Sequence, residues 1–521
     1  LGTVAVPVFQ PRSMRRTPPL LAAAGVMVAA LMVLPVGYLV LRAAEADDPL
    51  ALLGSDRVRR LVLNTISLGV VTTALAVVVG VGVAWLVERT DLPARRTLGL
   101  AATLPLVVPT YVGALALKAA FGPAGLVGEV PSLLGFWGAT SALSLSTYPY
   151  VFLLARAALA GADPSLEEAA RSLGDAGSAV FRRVVLPVVR PAVGAGGLLV
   201  FLYVLSDFGA VSILQFDTVT RGIFLEYRSL SADRAPAAVL GVVLVGLTLV
   251  AIVGERFLRG RAAPARAVAG QPSATAVRLG GWRWPAVGGV VVVVAAGIGL
   301  PVAVVVYWAV VGSSRGAAGD VLASAAGTSL GLSAVAAVLA VVAAVPVAVL
   351  AVRHRSRLSR GVETLAVSGY ALPGLVVGLA LVFFAARYVG PLYQTVTLIV
   401  VAYVIRFFPE ALGSVRSSLV QVDPALEEAG RSLGRSSFRV ATSVTLPLVR
   451  RGLLAGGALV FLTAMKELPA TLLLRPPGVD TLAVRVWTGA AEGLYAQAAP
   501  PALLILVVST LVLWPLRSMG R

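Results

Sequence analysis

Apolar residues along this chain come in long runs separated by short polar segments. A helix needs about 20 apolar residues to cross a bilayer. Twelve runs are candidates, at 20–41, 62–86, 98–120, 136–159, 192–214, 236–258, 285–311, 326–352, 364–386, 393–415, 452–474 and 498–516. The pattern predicts an all-α integral membrane protein with about 12 transmembrane helices, in contact with membrane lipid.

The composition supports a membrane location. Hydrophobic residues make up 58% of the chain and charged residues 13%, and the mean hydropathy is +0.91. A soluble protein of this length could not bury so much apolar side chain. The net charge of +18 could indicate nucleic-acid binding, but the positive residues lie in short clusters between apolar runs, as in membrane proteins. We therefore expect no nucleic-acid partner.

Two types of residue that carry chemistry elsewhere are scarce here. The chain has no Cys, which excludes thiol chemistry and thiolate metal sites. Its one histidine, His354, lies in the basic segment RHRSRLSR, where a solvated loop residue is expected. No His/Glu metal spacing and no nucleophile with a nearby base is evident, so a membrane-embedded enzyme is not predicted.

The basic residues also predict an orientation. Most Lys and Arg residues fall on one side of the predicted membrane, and the positive-inside rule makes that side cytoplasmic. Both termini are then cytoplasmic. Each half contains six runs, an even number, so the halves are expected to be parallel repeats. The predicted organisation is a first repeat at 1–258, a cytoplasmic linker at 259–283 rich in Arg, Ala, Pro and Gly, and a second repeat at 284–521.

One charged phrase occurs in both halves. LEEAARSLG occupies 166–174 and LEEAGRSLG occupies 426–434, which is 260 residues later. The similarity extends without gaps over 148–174 and 408–434, and again over 186–202 and 446–462. Duplication followed by fusion is the simplest explanation of the repeat. The alternative to a functional role is that the two loops are only polar connectors that share an ancestor.

The phrase predicts a short helix on each cytoplasmic loop, at 160–190 and 420–451. An Asp-Pro pair can cap and start each helix, and a Gly can end it; the residues are Asp163, Pro164 and Gly174, and Asp423, Pro424 and Gly434. Glutamates early in the helix suit its dipole. Such a helix is not needed for membrane insertion, and a docking surface would explain it.

These residues resemble a known motif. The spacing E-A-A-x3-G-x9-I-x-L-P is typical of the permease subunits of bacterial ABC importers that receive substrate from a binding protein. The first copy has Glu167, Glu168, Ala169, Gly174, Leu186 and Pro187, and the second has Glu427, Glu428, Ala429, Gly434, Leu446 and Pro447. The departures are Val184 and Val444 at the Ile position, and Gly430 in place of the second Ala.

The resemblance implies a fold, partners and a division of labour. The fold would be the type I ABC importer permease fold. Each motif loop would form a coupling helix that sits in a cleft on an ATP-hydrolysing subunit, so two loops imply a homodimer of ATPase subunits. The chain has only two lysines, Lys118 and Lys466, and neither follows a Gly as a phosphate-binding loop requires. ATP and Mg are thus expected in the partner, with no cofactor on this chain and no enzyme activity of its own.

The resemblance also points to a substrate. The stretches 201–224, 464–487 and 492–504 are similar to the fused permeases of ferric-iron importers, and with the motif loops the similarity covers nearly the whole chain. It implies Fe(III) as transported substrate, an extracytoplasmic binding protein as a further partner, and the bacterial cytoplasmic membrane as location. Related permeases for thiamine, phosphonate, sulfate or polyamines share the architecture. An ATPase-independent secondary transporter is the alternative of another class, but it has no use for paired coupling helices.

Four residues form a candidate translocation path. By the 260-residue offset Asp207 corresponds to Glu467, and Lys466 stands beside the latter. Ionisable residues inside spans are costly and usually face a pathway or a partner. Tyr203 lies one turn from Asp207, and Fe(III) prefers oxygen donors. We predict that Asp207 and Glu467 face each other and bind the metal ion in transit. The alternative is that Lys466 pairs with Asp207 or Glu467 as an ion pair that holds the bundle.

Two further features qualify the helices and loops. The segments LPLVVPTYVG at 104–113 and YALPGLVVG at 370–378 predict breaks in the third and ninth helices, which line a site or merely kink. The outer loops at 215–235 and 475–497 carry several charges and are long enough to meet a binding protein. Solvated loop charge is the simpler interpretation of these residues.

Overall fold

The computed structural model describes residues 18–123, 125–162, 164–229, 234–259, 276–313, 319–354, 356–367, 369 and 372–519. The predicted cap Asp163 and most of the predicted linker, residues 260–275, therefore lie outside the described residues. Within these ranges the regular secondary structure is helical, apart from one isolated bridge between Thr90 and Val277, and loops and turns connect the helices.

The first twelve α-helices run from the first apolar segment to the start of the linker. They are α1 (Pro19–Ala44), α2 (Pro49–Gly54), α3 (Asp56–Arg89), α4 (Arg95–Ala101), α5 (Thr110–Phe121), α6 (Phe136–Ala160), α7 (Pro164–Ser172), α8 (Gly177–Val180), α9 (Leu186–Ser206), α10 (Gly209–Ile213), α11 (Val219–Arg228) and α12 (Ala235–Arg259).

Twelve more helices follow the linker. They are α13 (Arg283–Val294), α14 (Leu300–Ser313), α15 (Gly319–Arg353), α16 (Arg357–Val367), α17 (Gly374–Tyr388), α18 (Val396–Val420), α19 (Pro424–Ser432), α20 (Ser437–Val440), α21 (Leu446–Met465), α22 (Pro469–Leu474), α23 (Leu482–Glu492) and α24 (Tyr495–Met519). The order of long and short helices from α15 to α24 repeats that from α3 to α12.

Shorter helical turns connect several of these elements. Turns of 3-10 helix occur at Leu104–Val107, Pro131–Leu133, Gly280–Trp282 and Gly390–Leu392. Wider π-helical turns occur at Phe181–Val185, Ala295–Gly299 and Ala441–Thr445. Two of the π-helical turns occupy equivalent places, directly before α9 and α21.

Ten helices in the described ranges are long and apolar enough to cross a membrane. An eleventh span is broken: residues Arg95–Val107 and Thr110–Phe121 meet at an angle of 93°. Pro109, which precedes α5 in an extended conformation, marks this break, so the predicted break in the third helix is confirmed. The predicted ninth run instead contains α17, an apolar helix of 15 residues. Helix α17 begins directly after Pro373, whereas α16 ends at Val367.

By contacts, the described chain forms two compact units that do not coincide with the repeats. One contains the residues up to Leu34, Ser333–Tyr370 and Tyr403–Ala464, and the other contains Pro35–Leu332, Ala371–Ala402 and Met465–Arg521. Each unit has its own packing, which is described separately below.

In the larger unit, glycines bring α3, α6 and α9 into close contact. A Cβ on Gly80 would lie 2.8 Å from the Cβ of Val151, and a Cβ on Gly196 would lie 2.9 Å from the Cα of the same Val151. Small residues at helix crossings are the usual means of packing in lipid, because hydrophobic burial does not drive helices together there. Val151 on α6 is thus clamped between α3 and α9.

The smaller unit uses the equivalent glycine in the same way. A Cβ on Gly456 of α21 would lie 3.0 Å from the Cβ of Ser414 and 3.5 Å from the Cα of Ala411, both on α18. Gly456 follows Gly196 by 260 residues. The same close crossing is therefore built in both repeats.

The end of the linker is fixed to a loop of the first repeat. Backbone hydrogen bonds join Val277 to Arg89 and Asp91. The Asp91 carboxylate accepts hydrogen bonds from the backbone N–H of Leu279, at 2.9 Å, and from the Arg283 guanidinium. The Arg283 guanidinium beside Asp91 and the bond from Leu279 hold the pKa of this carboxyl below its usual value. The anchor is thus weakened only under acid conditions, when Asp91 is protonated.

The α6–α9 crossing leads to a stability prediction. Gly196→Ala should destabilise the protein by about 1–3 kcal/mol, because the new methyl group meets backbone rather than a flexible side chain. Gly194→Ala is the matched control, since no atom lies within 4 Å of its Cβ position and Ala favours the helix. Thermal unfolding in detergent measures both variants. Equal midpoints for the two would contradict the proposed crossing.

Candidate functional site

The second motif loop begins with a capped helix. Asp423 precedes α19, and its carboxylate accepts a hydrogen bond from the backbone N–H of Ala425 at 2.9 Å. Pro424 occupies the first turn, where it has no N–H to leave unpaired. At the other end Gly434 has φ +80°, a conformation that glycine adopts without strain. These are the predicted cap, start and stop.

The described backbone of the first motif loop follows the same course. Helix α7 also has nine residues and begins at Pro164, and Gly174 has φ +89°. In both copies the backbone N–H one residue past this glycine returns to the helix, from Asp175 to Ala170 and from Arg435 to Gly430. Each helix is followed by a short helix and a π-helical turn. Leu186–Pro187 and Leu446–Pro447 then open α9 and α21.

Gly430, the departure from the motif, has a local packing explanation. A Cβ at this position would lie 3.0 Å from a methyl group of Val440, which is closer than most side-chain contacts. In the first copy, Ala170 and Val180 occupy the equivalent positions and are both buried. The glycine thus leaves room for the close approach of Val440 on α20 to α19.

The two adjacent glutamates of the second copy have different surroundings. Glu427 accepts hydrogen bonds from the Arg353 guanidinium, at 3.0 and 3.2 Å, and from the Thr445 hydroxyl at 3.2 Å. It therefore ties α19 to the end of α15. Glu428 is exposed, as are Ala429 and, in the first copy, Glu168 and Ala169. The side chain of Glu167 lies outside what the structure describes.

Exposed apolar side chains stand beside the motif glycines. Leu173 is 88% exposed, Leu433 is 81% exposed, and Phe438 in the second copy is 78% exposed. Leu173 and Leu433 lie outside the helices that could cross a membrane, whereas Phe438 lies at the start of the candidate span Ser437–Met465. Apolar side chains exposed outside the spans mark interaction surfaces. The motif reasoning missed them, although the shared letters S-L-G contain both leucines.

Asp207 caps a helix that starts where α9 ends. One of its carboxylate oxygens accepts from the backbone N–H of Ala210 at 2.9 Å, and the other accepts from the Thr110 hydroxyl at 2.6 Å. The side chain is buried, with 8% of the residue exposed. Thr110 begins α5, so Asp207 joins the start of α10 to the broken third span.

Glu467 occupies the equivalent position in the second repeat. Its carboxylate accepts from the backbone N–H of Ala470 at 3.1 Å, in the first turn of α22, and it is buried, at 5% exposed. Leu468 reaches within 3.3 Å of the Cβ position of Gly209. The two equivalent turns thus approach each other beside α5.

The two other candidate path residues have different neighbours. The Lys466 ammonium donates to the backbone carbonyl of Leu106 at 3.4 Å, on the first limb of the broken span. Tyr203 packs its ring 6.1 Å from that of Tyr150. The broken span therefore receives a carboxylate partner on one limb and an ammonium on the other.

Several charged residues of the two predicted outer loops, at 215–235 and 475–497, form ion pairs within the protein. Within the described residues, Arg221 pairs with Asp217, Arg57 with Glu226, and Arg475 and Arg485 with Asp480. No group of three His, Asp or Glu side chains that could hold a metal occurs in the part of the chain that the structure describes. Asp207 and Glu467 are only two carboxylates, so the absence of a group of three from the described residues does not bear on them as a metal site.

Comparison with known proteins assigns the family. The family described as binding-protein-dependent transport system inner membrane component matches residues 76–263 and 336–519, which is most of the chain. The chain belongs to this family. The two matches begin 260 residues apart, which is the offset of the repeated phrase. The prediction of a fused, all-α permease is confirmed.

Individual relatives cover different shares of the chain. The Haemophilus influenzae Fe(3+)-transport system permease protein FbpB 2 is 36% identical over 95% of this chain and 97% of its own length. The Actinobacillus pleuropneumoniae ferric transport system permease protein FbpB is 24% identical over 90% of this chain and 72% of its own. A probable molybdenum ABC transporter permease protein of Haloferax volcanii is 33% identical over 42% of this permease and 82% of its own length.

The unequal glutamates of this permease lead to a prediction. Glu427→Ala should lower the free energy of unfolding by about 1–3 kcal/mol, because Arg353 loses its charged partner in a half-buried site. Glu428→Ala, one residue away and exposed, should leave stability unchanged. Thermal unfolding of the purified permease compares them. A larger loss of unfolding free energy for Glu428→Ala than for Glu427→Ala would contradict the assignment of Glu427 as the glutamate that holds the helix in place.

Proposed function

We propose that this permease is the translocation subunit of an ATP-driven importer that moves ferric iron into the cytoplasm. The observation that carries the proposal is the pair of motif helices with the same start, stop and exposed leucine in both repeats. Each helix would dock on one ATPase subunit, so one chain would engage a homodimer. ATP and Mg belong to that partner, and an extracytoplasmic binding protein would deliver the iron.

Iron is favoured over other substrates by the extent of the similarity. The ferric-iron permease of Haemophilus influenzae matches both repeats, whereas the molybdenum permease matches less than half of this chain. Hard Fe(III) would prefer oxygen donors along its path. Thiamine remains the first alternative substrate to test. A secondary transporter is disfavoured because it would have no ATPase for the motif helices to bind.

We place the protein in the bacterial cytoplasmic membrane with both termini in the cytoplasm. The support is the distribution of Arg and Lys between the spans. In this orientation both motif helices face the cytoplasm, where the ATPase resides. The predicted repeats at 1–258 and 284–521 would each supply one of them.

The proposal extends to the path itself. Asp207 and Glu467, with Tyr203 and Lys466 nearby in sequence, would line the route of the cation. Both carboxylates already accept backbone hydrogen bonds, so the simpler alternative is that they only cap helices. The two roles differ in their need for charge, because an amide oxygen can cap a helix but binds Fe(III) far less strongly.

Uptake of radiolabelled Fe(III) under iron limitation tests the substrate. Deleting the gene should remove most energy-dependent uptake, and the intact gene should restore it. Restored growth without restored iron uptake would leave the permease role but exclude iron, and radiolabelled thiamine would be the next substrate measured.

Docking of the ATPase is tested at the exposed leucines. Leu433→Asp should weaken co-purification of the ATPase at least tenfold, because a buried leucine contributes about 1.5–3 kcal/mol. Leu126→Asp is a matched control, since Leu126 is also exposed and lies in a loop predicted on the opposite side. Iron uptake should fall with Leu433→Asp alone. Equal retention of the ATPase by both variants would exclude docking at this helix.

The path is tested by removing charge while keeping shape. Asp207→Asn should abolish iron uptake if the carboxylate meets the cation, while thermal stability and ATPase binding stay near the wild type. Gly194→Ala, in the helix α9 that ends just before Asp207, serves as the control substitution. Normal uptake by Asp207→Asn would leave Asp207 with the capping role only.

A further inference from the structure

A pocket of about 420 Å³ opens where α1 and α17 end. Its walls come from the last turns of these helices, from the residue before α12 and from the segment after α17. The side chains that matter below are Tyr38, Arg42, Arg234, Phe383, Arg387 and Tyr393. All belong to the larger compact unit. By the predicted topology this end of the helices faces away from the motif loops.

Three guanidinium groups surround this pocket, which we call the arginine pocket. Arg42 and Arg387 both contact Glu45: Arg42 donates at 2.7 Å, and Arg387 donates to both carboxylate oxygens at 2.9 and 3.0 Å. Arg234, the residue directly before α12, is the third arginine that lines the pocket. Among the described residues named here, three positive charges thus face one negative charge at the edge of a low-dielectric membrane. Such a surplus favours binding of an anion.

Aromatic rings hold the guanidinium groups in place. Arg234 lies over the ring of Tyr227 at 5.1 Å, and Arg42 lies over that of Phe383 at 5.8 Å. The Tyr38 hydroxyl donates to the carbonyl of Phe383 at 3.4 Å, which joins α1 to α17 beneath the pocket. A guanidinium stacked on a ring loses less freedom when it binds a ligand, because it is already oriented.

We propose that the arginine pocket binds a phosphate group, either of free phosphate or of a phospholipid head group. Guanidinium groups match phosphate with paired, charge-assisted hydrogen bonds. A pocket of this size holds an oxyanion together with bound water. Its place at the ends of membrane helices makes both sources of phosphate accessible. This site is separate from the motif loops and from Asp207, and it does not depend on the identity of the transported substrate.

Glu45 supplies a competitor that belongs to the chain. Its carboxylate bridges two of the three guanidiniums, as a bound anion would. The hydrogen bond from Arg42 holds the pKa of Glu45 below its usual value, so it stays ionised at neutral pH. A phosphate entering the pocket must share Arg42 and Arg387 with it. Removing this charge should therefore strengthen phosphate binding.

The test uses the full chain in nanodiscs of phosphatidylcholine. Equilibrium binding of radiolabelled inorganic phosphate is measured first, and retention of phosphatidylglycerol against phosphatidylcholine is measured by native mass spectrometry. Arg234→Gln and Arg387→Gln should each weaken binding about tenfold. Glu45→Gln should tighten it several-fold, an effect that a loss of structure would not produce. Arg59→Gln is the control, since Arg59 is an exposed arginine at the start of α3 paired with Asp56.

The outcomes separate the two sources and can overturn the proposal. Saturable phosphate binding with this variant pattern identifies free phosphate. Selective retention of phosphatidylglycerol, lost in the arginine variants, identifies the lipid. If neither ligand binds, or if Arg234→Gln and Arg387→Gln match Arg59→Gln, the pocket is not a phosphate site.

Discussion

A break in a helix inside a membrane exposes backbone groups that neither lipid nor water can satisfy. This permease breaks its helices repeatedly, and several of its buried polar side chains lie at those breaks. Asp207 and Glu467 accept from the first turns of α10 and α22. Lys466 donates to a carbonyl of the broken third span, and Lys118 donates to the carbonyl of Ala490 near the end of α23. These four side chains therefore bond to backbone groups, whatever further role they have in transport.

The same requirement is met in equivalent ways in both repeats. The backbone N–H of Val219, at the start of α11, donates to the Thr65 hydroxyl at 2.9 Å, and that of Leu482, at the start of α23, donates to the Ser329 hydroxyl at 2.8 Å. The motif helices are likewise matched in length and termination. Side chains around these equivalent connections can nevertheless differ, as Gly430 and Ala170 do.

Much of this architecture follows from the sequence because it depends on local rules. Apolar length predicts the spans, Asp-Pro and Gly predict the ends of the motif helix, and the Pro and Gly residues of segment 104–113 predict the break in the third span. The contacts that were not predicted are non-local. Nothing in the phrase E-E indicates that Glu427 meets Arg353, 74 residues earlier, while Glu428 stays exposed. The 260-residue offset gives Asp207 and Glu467 equivalent positions before α10 and α22. It does not reveal that Lys466 reaches the backbone carbonyl of Leu106, because the sequence does not specify which backbone group a side chain will contact.

The glycine crossings have a mechanical consequence. Since Gly80 and Gly196 both rest on Val151, sliding α3 or α9 along α6 would drive a branched side chain over the neighbouring helix backbone. Translation of these helices is therefore a stiff motion, and the trio moves as one body. Rotation about the short non-helical joints, such as residues 108–109 and 207–208, does not require a side chain to cross a neighbouring backbone. A conformational change is therefore expected to occur at the joints, while the glycine-packed helices move as rigid bodies.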